Sequence, residues 1–302
     1  MKSRLFTDTT NFISIDCGDE ILINDKRYKI TGHEREGRFG MTDPKFWVKR
    51  AIDPETGEKK IIKLAFFESF EITIGGVTIN RFRSPEKEAR ILDIVRGHSH
   101  FMQGESFQDS EGNNIRILDI VRGPNFYAHL HTLTMDHETY FHTILPGIFA
   151  KLIKSFEAIR FLHFHGDRHG DIRNDHIIVE EGTGNFVWID FDYEFETTEN
   201  PFGLDVFGLG NILLFAIGMG FHDFHTIKSE TEIYGNLKDR ITTEDFSILN
   251  KWRLTNIRKL YPYVPRALND ILLHFSKGSD IFYETVEEVI EDLNRCLHLT
   301  YN

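Results

Sequence analysis

The chain has 302 residues, 40% hydrophobic and 27% charged, enough to bury a sizeable core as one two-lobed domain or as two ordinary ones. A formal charge of -12 with scattered Lys and Arg excludes a nucleic-acid surface from expectation, because phosphate contacts need clustered cations. Cys17 and Cys296 are far apart and lack metal-ligand spacing, and residues 1–11 hold no apolar run of signal-peptide length. A cytoplasmic protein with free thiols is therefore expected.

In chain order, residues 12–15, 21–23 and 28–30 read as short strands separated by turns at 17–19 and 24–25. Residues 46–51 and 60–66 form the next pair, joined through Pro54 and Gly57, and Gly75-Gly76 turns a further hairpin between 70–74 and 77–79. Ser84 then caps a helix with Pro85 in its first turn, running to about Arg96. The octapeptide Arg-Ile-Leu-Asp-Ile-Val-Arg-Gly occurs at 90–97 and again at 116–123. Its flanks share nothing, so it reads as coincidence: helix in the first copy, and strand in the second, which lies between a 110–113 turn and Pro124.

Beyond Pro124 the pattern predicts helices over 125–133, 143–163, 203–218, 266–277 and 285–297. The apolar run 206–221 is short and broken by glycines, so it predicts a buried helix, and no membrane partner is expected. Strands first and helices afterwards is the order of an α+β protein, with a strand-rich part over 1–121 and a helix-rich part over 122–302.

The chemistry concentrates in two segments: His-Gly-Asp-Ile-Arg-Asn-Asp-His-Ile-Ile-Val at 169–179 and Trp-Ile-Asp-Phe-Asp at 188–192. Together they set two acids at the ends of a small hairpin. Asp171, ahead of an apolar strand, suits a base poised over a hydroxyl, and Asp190, ending a buried strand, suits a metal ligand. The pair points to phosphoryl transfer from a nucleotide. Upstream, Lys63 stands among Ile61, Ile62, Leu64 and Ala65. It is either a solvated outward residue or a buried ammonium to which a carboxylate must come. Gly37 and Gly40 mark either an ordinary turn or a phosphate cradle. His163, His165 and His169 have no Cys or acid at ligand spacing, so zinc is not expected.

On these residues the chain resembles the protein-kinase-like superfamily, whose catalytic loop reads H-R-D-L-x-x-x-x-N and whose metal-binding turn reads D-F-G. The resemblance extends from about Tyr28 to Leu297, and the tail at 264–268 and 283–288 looks like the last two helices of bacterial Ser/Thr protein kinases. It implies a two-lobed fold, with a small antiparallel β-sheet N-terminal lobe carrying one helix and a larger helical C-terminal lobe. Asp171 falls on the catalytic base, and Arg173 would neutralise the transferring phosphoryl group. Lys63 falls on the strand-borne Lys, with Glu88 as its helix-borne partner. Gly37 and Gly40 keep the second and third glycines of the phosphate loop, with Arg35 at the first, and 41–45 looks like a small insertion before the strand resumes. Leu118 would sit behind the nucleotide, with Asp119 to Val121 offering backbone groups to adenine. Asp205 would hold the backbone of the catalytic loop.

The departures from the family are equally specific. His176 falls on the second metal ligand, an Asn in the family, and Asp192 falls on the Gly after Asp-Phe. Asp190 and His176 are thus the expected metal ligands, and because imidazole suits softer ions than magnesium, Mg2+ and Mn2+ are both expected candidates. His-Gly-Asp lacks the Arg that would clamp an activation-loop phosphate, so regulation by loop phosphorylation is not expected. About a dozen residues separate Tyr193 from Leu204, and no Ala-Pro-Glu follows. The resemblance implies an ATP-dependent phosphotransferase moving the γ-phosphoryl group to a hydroxyl of a protein or small-molecule acceptor, with a protein Ser/Thr favoured. Its alternatives are a pseudokinase acting as a nucleotide-responsive binding module, a small-molecule kinase of the aminoglycoside or choline kinase type, and a scaffold that binds no nucleotide.

Overall fold

The computed structural model describes residues 3–38, 41–74, 76–197 and 199–301. It is an α+β protein. Its strands are β1 (Leu5–Phe6), β2 (Glu20–Ile23), β3 (Lys26–Arg38), β4 (Met41–Ile52), β5 (Lys59–Lys63), β6 (Ser69–Ile74), β7 (Val77–Arg83), β8 (Gly104–Gln108), β9 (Asn114–Asp119), β10 (Ile177–Val179), β11 (Phe186–Trp188) and β12 (Tyr193–Phe195). The α-helices are α1 (Pro85–Ile94), α2 (Phe126–His131), α3 (His137–Thr143), α4 (Leu145–Phe164), α5 (Gly203–Ile217), α6 (Phe224–Ser229), α7 (Thr231–Tyr234), α8 (Arg266–Leu273) and α9 (Val286–Tyr301). None is long and apolar enough to cross a membrane among the described residues.

The main sheet has the order β1-β2-β3-β4-β5-β9-β8, antiparallel except for β1 beside β2. Alternation along β5 decides where the chemistry lies. Ile62 and the following Leu64 pack into a core with Ile21, Ile30 and Ile117 on one face, so Lys63 projects from the other, toward α1. Ser84 caps α1 by accepting the Lys87 N–H, and Pro85 occupies the first turn, where its missing N–H costs nothing.

The helix-rich part encloses the larger core. Apolar faces of α4, α5, α8 and α9 share this core with Trp188, whose Nε1 donates to the Ser155 carbonyl of α4 at 2.9 Å. Close approach of α5 to the loop that carries Asp171 requires Gly208, since a Cβ there would lie 2.6 Å from Cβ of Ile172. A third sheet, β12-β7-β6, pairs the segment after Asp190 with the hairpin that precedes α1.

Several local expectations change. Residues 12–15 are not a strand: Phe12–Ser14 is a 3-10 turn whose Phe12 carbonyl, together with that of Ile15, accepts from the buried Lys49 Nζ at 2.8 and 2.6 Å. Residues 41–45 are not an insertion, because they lengthen β4 and pair with β3 from Arg38↔Met41 to Glu34↔Lys45, beyond a register shift at His33/Glu34. The strand expected over 60–66 ends at Lys63, and α1 ends at Ile94. Gly40 and Gly75 lie outside the described residues. The two octapeptide copies do differ, the first completing α1 and the second supplying β9, because long-range pairing with β5 and β8 overrides identical local sequence.

Candidate functional site

Lys63 is the hub of a buried charge network. Its ammonium donates to Glu88 Oε1 of α1 at 2.7 Å, bonds Asp190 Oδ1, and lies 3.5 Å from Asp192 Oδ2. Glu88 is fully buried, and its second oxygen accepts from Arg116 Nε of β9 at 3.1 Å. Asp192 accepts twice at 2.8 Å from Arg83 Nη1 of β7, and Arg83 also meets Glu68. Buried charges persist only when paired and hydrogen-bonded, and here each has an opposite partner. Burial alone would depress the Lys63 pKa, but Asp190, Asp192 and Glu88 outweigh it and raise the value. Burial works against ionisation of Asp190 as well, yet Lys63 above all, with Lys45 and Arg83, holds its carboxyl well below the usual range.

A cavity of about 340 Å³ opens beside this network, lined by Asp171, Asp190 and His176 from the helix-rich part and by Lys45, Arg81 and Arg83 from the strands. Asp171 lies in the loop after His169, and that loop is fixed from three sides. The buried Asp205 of α5 accepts the His169 and Gly170 N–H groups at 2.7 and 2.8 Å. Burial would raise the Asp205 pKa, but the hydrogen bond from His163 prevails and brings it to about 2. Lys87 of α1 donates to the His169 carbonyl at 2.9 Å and to the Tyr193 carbonyl. Arg81 Nη2 donates to the Gly170 carbonyl at 2.7 Å and to Asp171 Oδ1 at 2.9 Å.

His176 stands between the two aspartates. Its Nδ1 is 2.8 Å from the Asp171 carbonyl oxygen, which can only accept, so the neutral ring carries its proton there and leaves Nε2 with a lone pair. That Nε2 lies 3.6 Å from Asp190 Oδ2, while Asp190 Oδ1 serves Lys63. An imidazole nitrogen and a carboxylate oxygen at this spacing can share a divalent ion, and the donor set suits manganese better than magnesium. Oxygens of Glu88, Asp190 and Asp192 also fall within 4.8 Å of one another, but Lys63, Arg83 and Arg116 already pair with those carboxylates. Asp190 has φ 65, a left-handed conformation that a non-glycine residue adopts at a cost, as functional sites often require.

The remaining expected residues are placed less centrally. Arg173 is half exposed and pairs with Asp175 at 2.5 Å, its Nη1 4.0 Å from Asp171 Oδ2; Arg81, not Arg173, is the guanidinium bonded to Asp171. Gly37 lies near the tip of the β3–β4 hairpin, opposite Thr42. Leu118 is buried in the larger core. The Asp119 N–H donates to Gln103 O at 2.9 Å and its carboxylate accepts from Lys60 Nζ at 2.7 Å, so neither is open to a nucleotide base, whereas the Val121 N–H has no partner among the described residues. Leu118, Asp119 and Val121 are not among the residues lining the cavity at Asp171. Sequence reasoning missed Arg81, Arg83, Lys87 and Arg116. The one signal for Arg81 and Arg83 is a basic residue recurring on alternate positions of a strand, which reads equally well as a solvated face.

No protein-family model matches the chain, and comparison with curated proteins likewise finds no match.

Proposed function

We propose that the chain is a protein-kinase-like phosphotransferase that binds ATP with a divalent ion at the cavity lined by Asp171 and Asp190, beside Lys63, and moves the γ-phosphoryl group to an alcohol. The observation that carries this reading is the convergence of one ammonium from the sheet, bridged to the α1 carboxylate of Glu88, with two aspartates from the helix-rich part. In this reading residues 1–121 and 122–302 are the two lobes of a cytoplasmic enzyme, with the described Val121 N–H facing adenine.

Asp171 accepts the proton of the acceptor hydroxyl as that oxygen bonds to the γ-phosphorus. The bond from that phosphorus to the β,γ-bridging oxygen breaks, and ADP leaves with the electron pair. Lys63 and Lys45 meet phosphate oxygens, and Arg81 holds Asp171 in place. Asp190 Oδ2 and His176 Nε2 would hold the divalent ion, which when bound neutralises phosphate charge. The strand pairing of β12 with β7 occupies the segment that ordinary protein kinases use to dock a peptide, and so favours a small-molecule alcohol over a protein hydroxyl.

A second reading, nucleotide binding without transfer, is favoured by Arg81, because its Nη2 already occupies Asp171 Oδ1 at 2.9 Å, one of the two oxygens that an acceptor hydroxyl would need. ADP release from ATP with magnesium or manganese separates the two. Transfer predicts turnover that falls about 10²- to 10⁴-fold in Asp171→Asn. Equal rates in wild type and variant, with ATP still shifting the melting temperature of both, would leave the binding module.

A further inference from the structure

A second cavity, of about 390 Å³, lies against the same loop, and Arg173 lines both it and the cavity at Asp171. Its other walls come from Ile172, Asn174 and Asp175 of the loop, Tyr127 of α2, Asn211 and Ile212 of α5, and Phe221 and Arg253 beyond α5, the Asp175 carboxylate being paired with Arg173. This volume is that of a small-ligand site.

Two groups in its wall are unsatisfied. The Arg253 guanidinium lies 3.5 Å from the centre of the Phe221 ring and reaches only the neutral Asn211 Oδ1, at 3.3 Å. No carboxylate comes within ion-pair distance of it among the described residues, and its Nε is buried without a partner. Burial pushes the Arg253 pKa down, against which only the charge of Asp223 works. Asn174 is 8% exposed, and its Oδ1 is buried with no hydrogen-bond donor among the described residues. A half-buried cation with no carboxylate at ion-pair distance and an acceptor oxygen without a donor both cost stability. An anionic group in the cavity would give the Arg253 guanidinium the ion pair it lacks.

We propose that this cavity is the acceptor site, and that it takes a small alcohol bearing a carboxylate or phosphate group. The anion lies on Arg253, the carbon skeleton against Tyr127 and Phe221, and the hydroxyl reaches past Arg173 to Asp171. The role as acceptor site rests on the phosphotransferase reading; the anion site itself does not.

The test is a calorimetric titration without nucleotide, using glycerol 3-phosphate, glycerate and glycerol as probes. Wild type binds at least one of the two anions saturably, with a Kd of about 1 mM or tighter, and does not bind glycerol. The anion that binds identifies phosphate or carboxylate as the recognised group. Arg253→Met, which keeps the apolar stem on Phe221, and Asn174→Asp, which brings a repelling charge, each weaken anion binding about 10-fold or more. Should Arg253→Met fail to fold, Asn174→Asp carries the test. Asp190→Asn loses ATP and keeps the anion, so loss of ATP binding by wild type with the anion retained would sink the kinase reading alone. Anions that bind no better than glycerol, or that bind the folded variants as they bind wild type, overturn the proposal.

Discussion

Arg81 Nη2 lies 2.9 Å from Asp171 Oδ1, joining two residues 90 positions apart in sequence. The guanidinium also lies over the Tyr193 ring, 4.8 Å from its centre, so one side chain ties β7 to the loop and to β12. Asp171 is 8% exposed and Arg81 nearly as buried, and removing one partner of such a pair strands the other. Urea unfolding of Arg81→Met is expected to show a loss of about 2–4 kcal/mol, and Arg81→Met/Asp171→Asn to recover more than about 1 kcal/mol of it. Strictly additive losses would mean that the pair is not coupled.

Lys63→Met would leave Glu88, Asp190 and Asp192 facing one another with oxygens within 4.8 Å. We expect a loss of about 3–5 kcal/mol. A cluster stripped of its ammonium should also gain affinity for a hard divalent cation. Calcium in the millimolar range is therefore expected to raise the melting temperature of Lys63→Met more than that of wild type. Equal calcium responses would show that the ammonium is not what keeps those carboxylates compatible.

Gly170 stands between His169 and Asp171 at a position where the surroundings leave no room for a side chain. Its φ is +81, and a Cβ there would fall 2.0 Å from the Tyr193 carbonyl oxygen and 2.9 Å from Lys87 Nζ. Lys87 already occupies the space that a side chain would need. Gly166 provides the control, with φ +80 and nothing within 4 Å of its Cβ. Gly166→Ala should cost only the left-handed penalty of about 1–2 kcal/mol. Gly170→Ala should cost well over about 3 kcal/mol or abolish soluble expression. Similar thermal midpoints for the two variants would contradict this packing.

Burial pushes the pKa of both His169 and His137 down to about 4. The unfolded imidazoles protonate near 6.5 and the folded ones near 4, so between these values the unfolded chain binds more protons and stability falls as pH falls. Urea midpoints measured from pH 7 to pH 4 should decline, and His137→Gln should flatten the decline. A flat profile in wild type, or an undiminished slope in the variant, would show that these histidines are not buried neutral.

Much of the site's composition was legible because short-range rules placed it. Alternation along β5 put Lys63 opposite Ile62, and the Ser84 cap fixed the phase of α1 and so the direction of Glu88. Asp171 and Asp190 flank a hairpin whose strands announce themselves as Ile-Ile-Val and Phe-Val-Trp. What local sequence could not supply were partners across 80 to 110 residues. Lys87, Arg81 and Arg83 read as ordinary surface cations until Tyr193, Asp171 and Asp192 are brought to them. β12 was invisible for the same reason, since its three residues become a strand only by pairing with β7. The misread strand over 12–15 alternates correctly, but its carbonyls are taken by Lys49 rather than by a neighbouring strand.

The most direct measurement is calorimetric titration of ATP with manganese into wild type, Lys63→Met, Asp190→Asn and His176→Ala. The account predicts micromolar binding by wild type, weakened about 10-fold or more in each folded variant, with manganese preferred to magnesium only while His176 is present. No heat with wild type in either metal, or one affinity shared by all four proteins, would contradict it.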